Sequence, residues 1–401
     1  MAEDVDHRPP NLSYPALFLR FLRFGVLAFG GPVAQIAMVR RELVEQERWI
    51  SPARFNRLLA VMQALPGPEA HELCVHLGIQ AKGRIGGLLA GLGFMLPGFV
   101  LMLLAAWAYF RFDVDRGLAG AALIGAQAAV VALIVRAAHR IGEHVLIDRG
   151  LWTIGVAAGT ATLLGAPFWV ILPPGAAIYA LVRSGRRGAA ALLLVACLVL
   201  LAVWSAGQGG AVMEAPAGGS FSGDGAWPLL FVSGLKAGLL TFGGAYTAIP
   251  FLRQDVVGRG WLGDGTFLDG VALSNVLPAP LIIFATFAGY AVGGFAGAVA
   301  ITAGVFLPAF AFSMIFYDRL EAVVSEPRIR SALDGVAAAV VGLIAATAAS
   351  LAVGLLRSPD PVASVAIAGV ALAALYVVKS RYAPPVILLL AGLAGLGLSL
   401  T

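Results

Sequence analysis

Residues 85–110 contain no charged side chain. Coiled as a helix, that stretch is about 39 Å long, more than the ~30 Å hydrocarbon core of a bilayer, and it offers no polar face to water. Comparable runs recur along the chain, with charges confined to the gaps between them. A fold covered by lipid is the one such a pattern permits. Of the 401 residues 60% are hydrophobic and 12% charged, and mean hydropathy is +0.89, which leaves too few polar residues to coat a soluble enzyme. The formal charge of +5 does not mark a nucleic-acid binder either, because the basic residues are mostly Arg in short gaps, where they orient loops. Cys74 and Cys197 fall inside apolar segments and support neither a disulfide framework nor a thiolate metal site.

Reading about 20 apolar residues per crossing predicts about thirteen transmembrane segments. In the first half they lie near 16–39, 58–80, 85–110, 117–138, 150–166, 168–182 and 188–206. In the second they lie near 228–251, 267–290, 292–317, 332–356, 362–378 and 384–400. The 50 glycines suit close helix contacts in lipid. Residues 206–226, rich in Gly, Ala and Ser, read as a linker.

The two halves echo one another. Leu27-Ala28-Phe29-Gly30-Gly31 recurs as Leu240-Thr241-Phe242-Gly243-Gly244, and Leu65-Pro66-Gly67-Pro68 as Leu277-Pro278-Ala279-Pro280. Leu96-Pro97 and Gly125 recur as Leu307-Pro308 and Gly335. The offset drifts only from 213 to 210, as duplication with small deletions leaves it. The expected fold is an all-α polytopic membrane protein with broken or re-entrant helices. It comprises a first repeat at 1–187, an extra span and linker at 188–226, and a second repeat at 227–401. Six spans, one extra and six more turn the second repeat over, giving the inverted topology of many secondary transporters. With the N-terminus in the cytoplasm and the C-terminus outside, seventeen basic residues fall inside. Eight fall outside: Arg40, Arg41, Arg48, Arg54, Arg57, Arg111, Arg116 and Arg357. The bias orients the second half strongly and the first weakly.

Two cations sit within spans and correspond across the repeat, Arg23 and Lys236, each six residues before its Phe-Gly-Gly. Embedded charge is kept for a pathway or a partner; a matched pair would offer two positive charges to a small dianion. The breaks at Phe29-Gly30-Gly31, Phe242-Gly243-Gly244, Pro66-Gly67-Pro68 and Pro278-Ala279-Pro280 expose backbone amides. Unwound backbone survives in lipid only where it lines a cavity or is buried in protein, and a helix starting there aims its N-terminal amides at an anion. Gln35, Ser274 and Asn275 add side-chain donors. Glu69 is the candidate for proton coupling, within a polar cluster of Glu69, His71, Glu72 and His76 that the second half lacks. The five-residue spacing of the two histidines is not a zincin's, so no metal is expected. No phosphate-binding loop surrounds Lys236, so no nucleotide or other cofactor is expected. Trp49 and Trp261 are expected at membrane interfaces.

Phe29-Gly30-Gly31-Pro32 with Gln35-Ile36-Ala37-Met38, Arg41-Glu42-Leu43-Val44, Trp49-Ile50, Leu65-Pro66-Gly67-Pro68-Glu69-Ala70 and Leu96-Pro97-Gly98-Phe99 closely resemble the chromate ion transporter family in its two-domain form. The resemblance implies a carrier in the bacterial cytoplasmic membrane that exports chromate, a structural mimic of sulfate, and confers chromate resistance. His71-Glu72 departs from the familiar motif. The partners expected are chromate or a sulfate-like oxyanion and the lipid bilayer; a homodimer is an open alternative to the monomer. An anion channel and a membrane enzyme are the competing classes, the enzyme disfavoured because no nucleophile, base and oxyanion set converges on any motif.

Overall fold

The computed structural model describes residues 9–207, 225–242, 244–315, 326–378, 380 and 382–400, and these form helices and no strand. Most of the linker expected at 206–226, and Gly243, lie outside the described residues. The first half comprises α1 (Tyr14–Val26), α2 (Gly31–Arg40) with a π-helical extension (Arg41–Gln46), α3 (Pro52–Ala64), α4 (Glu69–Arg111), α5 (Gly117–Val145), α6 (Arg149–Leu163) and α7 (Phe168–Arg183). Next come α8 (Arg187–Gly207), α9 (Trp227–Leu239), α10 (Ala248–Val256), α11 (Asp264–Val276), α12 (Phe284–Ile315), α13 (Pro327–Leu355), α14 (Pro361–Val377) and α15 (Ala383–Ser399). Local sequence sets several of the starts. Ser13, Ser51, Asp148 and Asp360 each accept a backbone N–H of the first turn, the N-cap role that short polar side chains favour. Four helical segments are long and apolar enough to cross a membrane, Glu69–Arg111, Gly117–Val145, Leu281–Ile315 and Ile329–Leu355, and five shorter ones are also apolar.

Several helices turn back on themselves. An unbroken α4 of 43 residues would stretch about 65 Å. It reverses instead at Lys82-Gly83, where Gly83 takes φ 64°, ψ −162°, a conformation open to glycine. Gly78 then packs against Gly86 and Ala90, and Ile79 against Gly87, contacts that only an antiparallel pair of segments, 69–81 and 84–111, can make. α12 reverses in the same way at Gly293-Gly294, with Gly294 at φ 57°, ψ −147° and Gly289 against Gly297.

Spans 16–39 and 58–80, expected to be single broken crossings, are hairpins too. Arg23 reaches Glu42 at 2.9 Å, and Arg20 pairs with Glu47. Had α2 continued in line with α1, Glu42 would lie about 20 Å or more from Arg23. In the second half Lys236 of α9 meets Asp255 of α10 at 2.6 Å, which bends 228–251 back likewise. Phe267 and Phe284 pack edge to face at 5.6 Å, and Gly270 lies against Phe287, so α11 and the start of α12 fold about Pro278-Ala279-Pro280. Lys82 Nζ donates to Asn11 Oδ1 at 2.8 Å; the hairpins of the first half therefore return to the level at which α1 begins.

The second long helix of each half packs on the last two helices of the other. α13 lies against α6 and α7, and α5 against α14 and α15. Matched glycines make both contacts possible. A methyl on Gly125 would overlap the carbonyl of Ala391, and one on Gly335 the carbonyl of Gly175; without side chains the backbones touch. Trp49, expected at an interface, is fully buried against Phe21 and donates to Glu47 at 2.9 Å. Its indole fills the base of the first hairpin, and the core claims it.

Candidate functional site

The four sequence breaks are the tips of these hairpins, and they meet. Gln35 Nε2 donates both to the carbonyl of Ala28, at the first Phe-Gly-Gly tip, and to that of Ala279, at the Pro-Ala-Pro tip of the other half (3.0 and 3.1 Å). Gly67 N–H, at the Pro-Gly-Pro tip, donates to the carbonyl of Thr241 at the second Phe-Gly-Gly tip (2.8 Å). Each half thus ties its own tip to one of the other's, and buried carbonyls freed by unwinding find donors. Gly30 (φ 86°), Gly31 (φ 76°) and Gly244 (φ 130°) occupy the left-handed region, which is why glycine stands at these turns.

Beside the tips lies a cavity of about 450 Å³, ample for a small hydrated anion. Gly30, Gly31, Pro32, Gly244, Tyr246, Leu277 and Ala279 border it, with Gln63 and Glu69 at the Pro-Gly-Pro tip and Ser274 and Asn275 at the end of α11. The opposite wall is α5, whose Arg136, Arg140 and His144 all line the cavity. Spaced i, i+4, i+8, they share one helix face. No described carboxylate makes an ion pair with either Arg. Arg136 also lies 5.8 Å over the ring of Tyr376. Among the described residues the lining therefore carries two guanidinium groups without a carboxylate partner, one carboxyl and several neutral hydrogen-bonding groups.

Of the residues singled out in the sequence, Gly30, Gly31, Gly244, Ala279, Ser274, Asn275 and Glu69 line this cavity. Asn275 Oδ1 accepts from the Tyr246 hydroxyl at 3.0 Å. Phe29 adjoins the first tip, and Phe242 is buried with its N–H donating to Thr247 Oγ1 at 3.1 Å. Pro66, Gly67 and Pro68 are buried within their tip, and Pro278 and Pro280 flank Ala279. Gln35 is a strut between tips, 1% exposed, with its amide N–H groups already committed. Arg23 and Lys236 are absent from the lining. The hairpins turn their side chains to Glu42 and Asp255, positions that themselves correspond at offset 213, so the embedded cations are a duplicated pair of hairpin clamps. Lys236 also lies 4.9 Å over the ring of Phe168. Sequence reading counts Arg136 and Arg140 as loop-orienting charge and assigns nothing to His144; their four-residue spacing along an apolar helix is the available signal. Among the described residues no group of three or more metal-ligating side chains converges.

Fold and site together define a multi-pass membrane protein in which hairpin tips from two halves enclose a cation-lined cavity. The sequence profile of the family described as chromate transporter matches residues 15–213 and 229–396, and the chain belongs to that family. It is 60% identical to a chromate transport protein of Pseudomonas aeruginosa, over 96% of this chain and 93% of that one. It is 32% identical to a chromate transport protein of Cupriavidus metallidurans over 84% and 82% of the two chains. It is 28% identical to a probable chromate transport protein of Synechococcus elongatus over 98% of both. No solved structure matches.

Proposed function

We propose that the cavity is the substrate site of a secondary transporter that exports chromate, or a sulfate-like divalent oxyanion, from the bacterial cytoplasm and so confers chromate resistance. The observation that carries this reading is the meeting of four hairpin tips around a space walled by Arg136 and Arg140, which have no carboxylate partners among the described residues. A tetrahedral dianion there replaces its hydration with two guanidinium groups, the amides at the start of α2, and the Asn275 side-chain N–H that the Val271 carbonyl does not hold. Family membership and the chromate transport proteins among its relatives support the substrate class.

The two halves, 1–187 and 227–401, are inverted repeats on this reading, joined by the extra span and linker at 188–226. The hairpins dip from one side and return to it, so each repeat crosses the membrane with four segments. These are 84–111, α5, α6 and α7 in the first and 295–315, α13, α14 and α15 in the second, and α8 makes nine. The odd total keeps the N-terminus cytoplasmic and the C-terminus outside. It also improves the charge balance. Placing Arg40, Arg41, Arg48, Arg54 and Arg57 inside, and Arg253 and Arg259 outside, turns seventeen against eight into twenty against five. Alternating access follows if the tips move as a unit against α5 and α13.

Chromate uptake by everted membrane vesicles tests the reading, with sulfate as competitor. Saturable uptake that Arg136→Ala reduces sharply at unchanged protein level is the expected result. Wild-type uptake by both Arg136→Ala and Arg140→Ala would refute the site.

A further inference from the structure

One helical turn beyond the cavity lining lies a carboxyl group that the anion site does not use. Glu72 is fully buried, and neither of its carboxyl oxygens has a hydrogen-bond partner among the described residues. It lies over the Pro-Gly-Pro tip; a methyl on Gly67 would overlap its Oε1. Glu69, three residues earlier on the same helix face, is 7% exposed and borders the cavity beside Gln63.

Among the described residues no cation pairs with Glu72. On the same helix segment His71 is turned to α12, its ring 4.9 Å from that of Phe306 and 4.7 Å from that of Phe310. His76 lies within the field of the Arg54 guanidinium of α3. From α12, Ser313 approaches the backbone carbonyl of Glu72, at 3.5 Å. Among the described residues the charged group that bears on Glu72 is the other carboxyl, Glu69. Two carboxylates facing one another in a buried site, with no cation beside Glu72, cannot both stay ionised, because bare buried charge is too costly. Across the cavity from Glu69 stand Arg136, Arg140 and His144.

We propose that Glu69 and Glu72 form a proton site whose occupancy rises with that of the oxyanion, so that a proton is taken up with the substrate and carried in the same direction. The argument is one of linkage. An ionised carboxylate on the cavity wall repels a dianion and competes with it for the field of Arg136 and Arg140. A dianion in turn favours the protonated carboxyl by the same free energy. Export of a dianion with one proton moves one net negative charge outward, a movement that an inside-negative potential drives. This inference rests on the cavity being the oxyanion site.

The test uses the full-length protein, purified and reconstituted, with chromate as probe in mildly alkaline buffer, where chromate is wholly the dianion. Binding by wild type should take up protons, read by a pH-sensitive dye, and affinity should fall by up to about tenfold per pH unit as the medium becomes more alkaline. In vesicles the lumen receiving chromate should acidify. The double variant Glu69→Gln with Glu72→Gln, locked in the neutral form, should bind chromate with a flat pH dependence and no proton uptake. Proton release on binding, alkalinisation of the receiving lumen, or unchanged uptake in the double variant would each overturn the proposal. Because the wild-type measurements stand alone, a double variant that fails to fold does not rescue it. Wild type that carries chromate without protons refutes only the proton link; wild type that neither binds nor carries chromate refutes the oxyanion reading and the link together.

Discussion

The two halves share a skeleton and differ in chemistry. Each begins with a hairpin clamped by an ion pair, continues with a second hairpin reversing at a Pro-x-Pro tip, and sends its next long helix across to the other half. Yet α5 carries Arg136, Arg140 and His144 where α13 carries Ala346, Ser350 and Gly354. The first Pro-x-Pro tip is followed by Glu69, His71 and Glu72, the second by Leu281, Ile283 and Phe284. Both halves supply the geometry of the tips, and one supplies nearly all of the charge. A cavity bordered by both halves needs its cations once, and each further ionisable group within the bilayer would cost several kcal/mol unless partnered.

The shared skeleton should break equally from either side, and that is the largest effect expected. Gly125→Val and Gly335→Val each force a side chain into a backbone carbonyl of the other half. Each should cost about 3 kcal/mol or more, as overpacking a close helix contact does. Loss of the monodisperse folded peak in detergent, to a similar degree in both variants, would bear this out. A tolerated substitution on one side alone would show that the crossed packing is unequal.

The chemical difference should break from one side. Arg136→Ala removes one of two guanidinium groups from the cavity wall and should weaken chromate binding by about 10- to 100-fold, the ~1.5–3 kcal/mol of a charge-assisted contact. In α13 the position of Arg136 is already Ala346, and Ser350→Ala, at the position of Arg140, should leave the dissociation constant within about twofold, since the Ser350 hydroxyl only returns to the carbonyl of Ala346 at 3.0 Å. Equilibrium binding by the two purified variants measures the asymmetry directly.

Much of the skeleton could be read from the sequence because helix breakers leave residues behind. The Phe-Gly-Gly and Pro-x-Pro tips, the four long apolar helical segments and the all-helical class follow from Gly, Pro and apolar run length. Hairpins could not be told from broken crossings on that basis. A Gly-Gly in mid-run states that a helix stops, and only long-range contacts such as Arg23 with Glu42 state which way the chain leaves. The site was half legible for a related reason. Backbone tips are marked by residue type, whereas the role of a cation depends on what faces it. Arg23 and Lys236 stood out because they were duplicated, yet duplication here preserved a clamp. Arg136 and Arg140 were hidden because they occur once.

The clamps give the finest test of the comparison, since here the halves match in residues and differ in setting. The Arg23 side chain is 60% exposed beside Glu42, whereas Lys236 is 29% exposed and Asp255 only 7%. An exposed pair contributes about 0–1 kcal/mol. Removing one partner of a buried pair strands the other and costs about 3 kcal/mol, discounted here because Lys236 keeps some exposure. Lys236→Met should therefore lower stability by about 1–2 kcal/mol, and Arg23→Met by less than about 1 kcal/mol. Thermal unfolding in detergent reads both. Chromate affinity at a temperature where each variant remains folded should stay within about twofold of wild type, a difference of less than ~0.5 kcal/mol. If Arg23→Met or Lys236→Met instead abolished binding without loss of stability, these cations would belong to the substrate site after all, and the two halves would share chemistry as well as skeleton.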